Sequence, residues 1–172
     1  MAKIPLEEAK KLSQKTLLKM IERAKNYLKK NKVYKDMCEE RGVDVDVIDL
    51  IPMKFGDIDV SARTDHGIIT LNYKLLCDGD FFKDYSYIIH ECEHYFQQCF
   101  GDRPTRGAEE GVYLDNPYEQ EGFQRQIEYL DDQYGENEAE SYVEHLLDHH
   151  DVKDADERED KKEKLMEKIN DE

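Results

Sequence analysis

From Leu6 to about Lys30 the apolar residues Leu17, Met20, Ile21, Ala24, Tyr27 and Leu28 recur at helical spacing with lysines between them, which predicts a long amphipathic helix. A shorter helix should follow, with Gly42 as its stop signal. The period then falls to two. Val43, Val45 and Val47 alternate with aspartates, and Ile58, Val60 and Ala62 alternate with Asp59, Ser61 and Arg63, so each run reads as a strand. Thr64-Asp65-His66-Gly67 supplies turn chemistry ahead of a third alternation, Ile69, Leu71, Tyr73 and Leu75, and a hairpin is expected with His66 as a polar turn residue. Helical spacing returns from about Asp84 to Cys99, where Ile88, Ile89, Cys92, Tyr95, Phe96 and Cys99 make an apolar band that Gly101 and Pro104 end. Asn116-Pro117 opens another helix, with Asn as N-cap, Pro in the first helical position and Glu119 at the capping-box position, and Gly135 closes it. A last stripe runs through Ala139, Tyr142, Val143, Leu146, Leu147 and His150.

These elements predict an α+β fold. One domain is expected over residues 1–150: N-terminal helices in 1–41, a small antiparallel or mixed sheet in 43–76, a central helix at 84–100 and C-terminal helices in 117–150. Residues 151–172 are charge-dense and almost without large apolar groups, so they read as a charged tail, either a frayed helix or disordered.

With 172 residues the chain has the length of one ordinary domain. No apolar run approaches the roughly 18 residues a membrane span needs, and the N-terminus lacks a hydrophobic stretch with a cleavage site, so a cytoplasmic protein with no membrane partner is expected. The four cysteines show no C-x-x-C spacing, which favours free thiols. The net charge of -16 is unevenly spread: 11 Lys/Arg stand against 4 Asp/Glu in residues 1–36, and 6 against 10 in 151–172, which leaves a strongly acidic middle. Such a body repels nucleic acid, and the lysine-rich N-terminal helix reads as a solvated face.

The chemistry concentrates in His90-Glu91-Cys92-Glu93-His94, a His-Glu-x-x-His pattern inside a predicted helix. Residues four apart share a helical face, so both imidazoles can reach one Zn²⁺, while Glu91 is placed to act as general base on a zinc-bound water. Glu93 should face outward as a surface charge, and Cys92 should be a core thiol. A catalytic zinc normally has a third protein ligand. Gln97 and Phe100 stand where a metzincin would carry Gly and a third His, which excludes that branch. A downstream glutamate is the other option, and Glu109, Glu110, Glu119 and Glu121 are candidates. Helical phase relative to Phe123, Ile127, Leu130 and Tyr134 turns Glu119 inward and puts Glu121 on the side of Arg125, Glu128 and Asp132, expected to be solvated. His145 and His149 repeat the four-residue spacing beside Asp148, but both should project into solvent; His150 should pack at the helix end.

The His-Glu-x-x-His helix followed by Asn-Pro-Tyr-Glu-Gln-Glu-Gly-Phe at 116–123 resembles the gluzincin type of zincin metallopeptidase, and the order from the hairpin to Leu130 resembles minimal gluzincins and ImmA/IrrE-like peptidases. Gly122 fits the small-residue slot of that motif, whereas Phe123 departs from the Asp or Asn that commonly supports a histidine ligand. The resemblance implies a zinc-dependent peptidase acting on proteins or peptides, with substrate added along an edge strand at residues 68–75. Tyr113, Tyr118 or a histidine would serve as oxyanion donor, and the tail would be free to cover the cleft in a latent form. A second reading gives the same zinc ligands to a regulatory or latent interaction module with little turnover.

Overall fold

The computed structural model describes residues 4–77, 81–101, 114 and 116–170. A one-turn helix α1 (Leu6–Ala9) precedes α2 (Gln14–Leu28), whose Ser13 cap accepts from the Thr16 amide and whose Leu17, Ile21, Ala24 and Leu28 are buried at helical spacing. Helix α3 (Lys32–Arg41) starts on the Asn31 side chain and stops at Gly42, which takes a left-handed φ of 64°. Three short strands follow: β1 (Met53–Gly56), β2 (Ala62–Asp65) and β3 (Ile68–Asn72). Then come the central helix α4 (Phe81–Phe100), α5 (Pro117–Tyr134) and α6 (Glu136–His149). The chain closes with α7 (Ala155–Leu165) and α8 (Glu167–Asn170). None of the described helices is long and apolar enough to cross a membrane.

The sheet is mixed, in the order β1-β3-β2, with β1 parallel and β2 antiparallel to β3. The β2–β3 hairpin forms as expected. His66 (φ 52°) and Gly67 (φ 76°) both take positive φ, as a two-residue primed turn requires, and His66 Nδ1 lies 2.8 Å from Asp65 Oδ1. Helix α2 packs on β1, while α4 runs across β2 and β3 and packs most extensively on α5. The core lies between these layers, with Ile69, Leu71, Ile88, Ile89, Phe96 and Ile127 all buried.

The sequence reading of the sheet needs three corrections. Val45–Leu50 is a 3-10 helix, not a strand: the Asp44 side chain accepts from the Asp46 amide and caps a turn that competes with extended pairing. The Ile58–Val60 stretch is loop, because Asn72 Nδ2 donates to the carbonyls of Ile58 (2.8 Å) and Val60 (2.9 Å), and pairing begins only at Ala62. Finally, β3 ends at Asn72, whose side chain caps a 3-10 helix over Tyr73–Leu76, and it is the central strand with no free edge, so residues 68–75 cannot take up an added strand; β2 is the edge that lies beside α4.

The charged C-terminal segment is helical and docked. Leu165 and Met166 are buried, and Gln124 of α5 donates to the Lys164 carbonyl at 2.9 Å. Arg158 bridges Glu144 and Asp148 of α6, the latter at 3.0 Å. With Val152 also buried and Ile169 packed against the core, a few apolar anchors suffice for this in a segment otherwise rich in charge.

Behind α4 sits a buried ion cluster. Glu93, only 3% exposed, is gripped by Arg41 of α3 at 2.7 and 3.3 Å, and Arg125 of α5 lies 3.9 Å from it. Arg125 also pairs with Glu40 and, at 3.1 Å, with Glu128. The expectation of solvated faces for Glu93, Arg125 and Glu128 therefore fails: helices α3 and α5 cover them, and mutual pairing makes their burial tolerable. Arg125→Ala should destabilise the fold by about 3–5 kcal/mol, because it strands buried carboxylates beside one remaining arginine. Urea unfolding of wild type and variant measures this, and a change below 1 kcal/mol, the range of an exposed pair, would contradict it.

Candidate metal centre

Helix α4 brings His90 and His94 to one face, one turn apart, with Nε2 atoms 3.0 Å from each other and the rings at 70°. His90, Glu91 and His94 form a buried group, with ligand atoms within 4.8 Å of one another, that can hold a metal ion. From α5, Glu119 points inward, and its Oε1 lies 3.2 Å from His90 Nε2 and 2.8 Å from His94 Nε2. The Asn116 side chain fixes the start of this helix by accepting from the Tyr118 and Glu119 amides at 2.9 and 3.3 Å. Glu121 is two residues away and exposed, and its carboxylate meets Gln97 and neither imidazole. Glu109, Glu110 and Tyr113 lie outside the described residues. Tyr118 does not line the cleft described below.

Hydrogen bonding on the far side of each ring sets its tautomer. Gln97 Nε2 donates to the Tyr118 carbonyl (3.2 Å) and the Glu121 carboxylate (2.8 Å), both acceptors only, so the Gln97 oxygen must face His94 Nδ1, 2.9 Å away. His94 Nδ1 therefore carries a proton. Gln126 takes the matching place beside His90: its Oε1 is 3.0 Å from Nδ1 and its amide nitrogen 3.3 Å from Ser86 Oγ, an orientation in which His90 Nδ1 donates as well. A neutral imidazole protonated at Nδ1 presents a bare lone pair at Nε2. Two such lone pairs and a carboxylate oxygen then converge within 3.2 Å with no donor of their own between them. A cation relieves that repulsion, and the separations approach the roughly 3.3 Å edge of a tetrahedron with bonds of about 2.0–2.1 Å. Without a cation the same contacts close only if Nε2 is protonated: burial by itself would raise the Glu119 carboxyl, but hydrogen bonding and charge from His90 and His94 would then hold it well below the usual carboxylate range.

Two small features complete the fit. A Cβ on Gly122 would stand 2.8 Å from His90 Nε2, so α5 can approach α4 this closely only with glycine there. Phe123 packs edge-on against His90 with ring centroids 4.6 Å apart, and Gln126, one turn further along α5, provides the polar support to that ring.

Glu91 is held from the sheet. Thr64 Oγ1 of β2 lies 2.8 Å from Glu91 Oε1 and 3.0 Å from the Glu91 carbonyl, while Oε2 has no partner among the described residues. Both His90 and Glu91 line a cleft of about 480 Å³, a volume suited to a small ligand or a short piece of chain. One wall is the 59–62 segment leading into β2, and the floor includes Leu75, Tyr87, Phe123 and Tyr142. The opposite lip is α6, through His145, His149 and His150. His145 and His149 are exposed, as expected, but they edge this cleft rather than a remote surface. His150 is half-buried, and burial together with its neighbour His149 pushes its imidazole below the ordinary value. Cys92 is fully buried, and burial pushes its thiol upward, consistent with a core thiol. All four cysteines are free.

Sequence reasoning missed Thr64, Gln97 and Gln126. Gln97 had a usable signal, since it lies three residues after His94 on the same face, whereas nothing local ties Thr64 to Glu91 or Gln126 to His90. No protein-family model matches the chain, and no match was found among curated proteins or solved structures.

Proposed function

We propose that this chain is a zinc-dependent metallopeptidase of the gluzincin type, hydrolysing peptide bonds in proteins or peptides. The observation that carries the reading is the convergence of His90 Nε2, His94 Nε2 and Glu119 Oε1 within 2.8–3.2 Å, beside Glu91, which lines the cleft together with His90. His90, His94 and Glu119 would hold the metal. Glu91 is left as the base because Thr64 already occupies its Oε1. Bound zinc would supply Lewis acidity to a scissile carbonyl and lower the pKa of an attacking water. Glu91 Oε2 takes up that water's proton and returns it to the departing amine nitrogen. Gln97 and Gln126 keep both imidazoles oriented.

Substrate would lie along β2. The Asp65↔Ile68 pairing beside the two-residue turn directs the main-chain groups of Arg63 and Asp65 toward β3 and those of Ala62 and Thr64 away from it. The Thr64 carbonyl accepts from Gln98 Nε2 at 3.2 Å, whereas Ala62 lines the cleft, where an extended peptide can pair with it.

Purified protein is expected to carry about one zinc per chain, lost in His90→Ala, and to cut members of a broad peptide library. Elemental analysis and mass spectrometry of the digest test the two halves. Absence of zinc sinks the reading altogether, and stoichiometric zinc without any cleavage favours the regulatory module.

A further inference from the structure

We propose that His145 and His149 form a second, weaker site for a divalent transition-metal ion such as Zn²⁺, Ni²⁺ or Cu²⁺ on the lip of the cleft. The two residues are one turn apart on the 14-residue helix α6, the same spacing that brings His90 and His94 together on α4. Their rings stack at 19° with centroids 6.1 Å apart, wider than the 4.8 Å of the buried pair, and both side chains are exposed, so side-chain rotation is open to bring the ring nitrogens onto one ion. Neither imidazole has a hydrogen-bond or ion-pair partner among the described residues, which leaves their ring nitrogens available. The adjacent acids are engaged instead: Asp148 lies 3.0 Å from Arg158, and Glu144 pairs with the same guanidinium. The ion would therefore be held by two imidazoles and completed by water. Imidazole nitrogen selects zinc, nickel and copper over magnesium and calcium.

This site lacks what Gln97 and Gln126 give the buried one. Each oriented outer partner is worth about 10–100-fold in affinity, so a site without two of them should bind at least about 100-fold more weakly. Its position adds a consequence that rests on the peptidase reading: an ion on α6 narrows the cleft that His90 and Glu91 also line, so excess zinc should slow proteolysis.

The test uses the full chain with its buried site filled by one equivalent of zinc, then titrated with ZnCl₂ or NiCl₂ by calorimetry. A second uptake event, weaker by about 100-fold or more, should appear in the wild type and vanish in a His145→Ala/His149→Ala double variant that keeps the first event. Both residues are exposed, and circular dichroism confirms that the variant folds. Copper added to the zinc-filled protein should give an electron paramagnetic resonance spectrum with nitrogen coupling that the double variant lacks. A wild type that takes up no second ion, or a double variant that takes up as much, overturns the site. Equal slowing of both proteins by excess zinc overturns the cleft-narrowing consequence. Loss of the first event or of all proteolysis would count against the proposed function, and the second event is read independently of either.

Discussion

Replacing Glu91 by Gln is expected to lower kcat/KM for peptide hydrolysis by on the order of 10³-fold while the protein keeps its zinc. The substitution removes proton uptake and little else. The amide oxygen of glutamine can accept the Thr64 hydroxyl that now meets Oε1 at 2.8 Å, so shape and packing are preserved. The metal should stay because three other atoms, His90 Nε2, His94 Nε2 and Glu119 Oε1, already approach one another within 3.2 Å. Steady-state kinetics on a cleaved peptide, paired with elemental analysis of the same sample, separates the two effects. Undiminished turnover would remove Glu91 as the base. Loss of zinc along with activity would instead make Glu91 a ligand, the role its 4.8 Å grouping with the histidines also permits.

The residues legible in the sequence are those whose placement depends on helical periodicity alone. His90 and His94 share a face because they are four apart, and Glu119 turns inward because it is four residues before Phe123, whatever the rest of the chain does. Asn116, Pro117, Gly42 and the His66-Gly67 turn were readable for the same reason, since caps and tight turns are settled within a few residues. What could not be read depends on partners distant in sequence. Glu93 is buried only because Arg41, 52 residues earlier, comes to meet it. Thr64 reaches Glu91 across 27 residues, and Gln126 reaches His90 across 36. Strand order is equally non-local: alternation marks residues 68–72 as extended, but only the parallel pairing of Met53–Gly56 makes that strand central and passes the edge to β2. Composition misled at the C-terminus, where Leu165 and Met166 outweigh a run of surface charge.

Gly122→Ala should weaken zinc binding by about 10–100-fold, comparable to removing an outer hydrogen-bond partner of a ligand, without unfolding the protein. The added Cβ would lie 2.8 Å from His90 Nε2, 2.9 Å from Cδ2 and 3.0 Å from Cε1, and a planar ring offers no flexible end that can give way. The ring cannot simply retreat, because Phe123 packs on it at 4.6 Å between centroids and Gln126 holds Nδ1 at 3.0 Å. Either His90 rotates off its glutamine, or α5 moves away from α4 and takes Glu119 with it; both spread the three ligand atoms. Intrinsic helix propensity acts in the opposite direction, favouring alanine by about 0.8–1 kcal/mol in a helix interior, so thermal stability of the metal-free protein should change little while metal affinity falls. Competition with a chromogenic chelator measures the affinity, and thermal unfolding in excess chelator measures the fold. A variant with wild-type zinc affinity would mean that α5 does not press on His90 and that the centre tolerates a wider separation between its two helices.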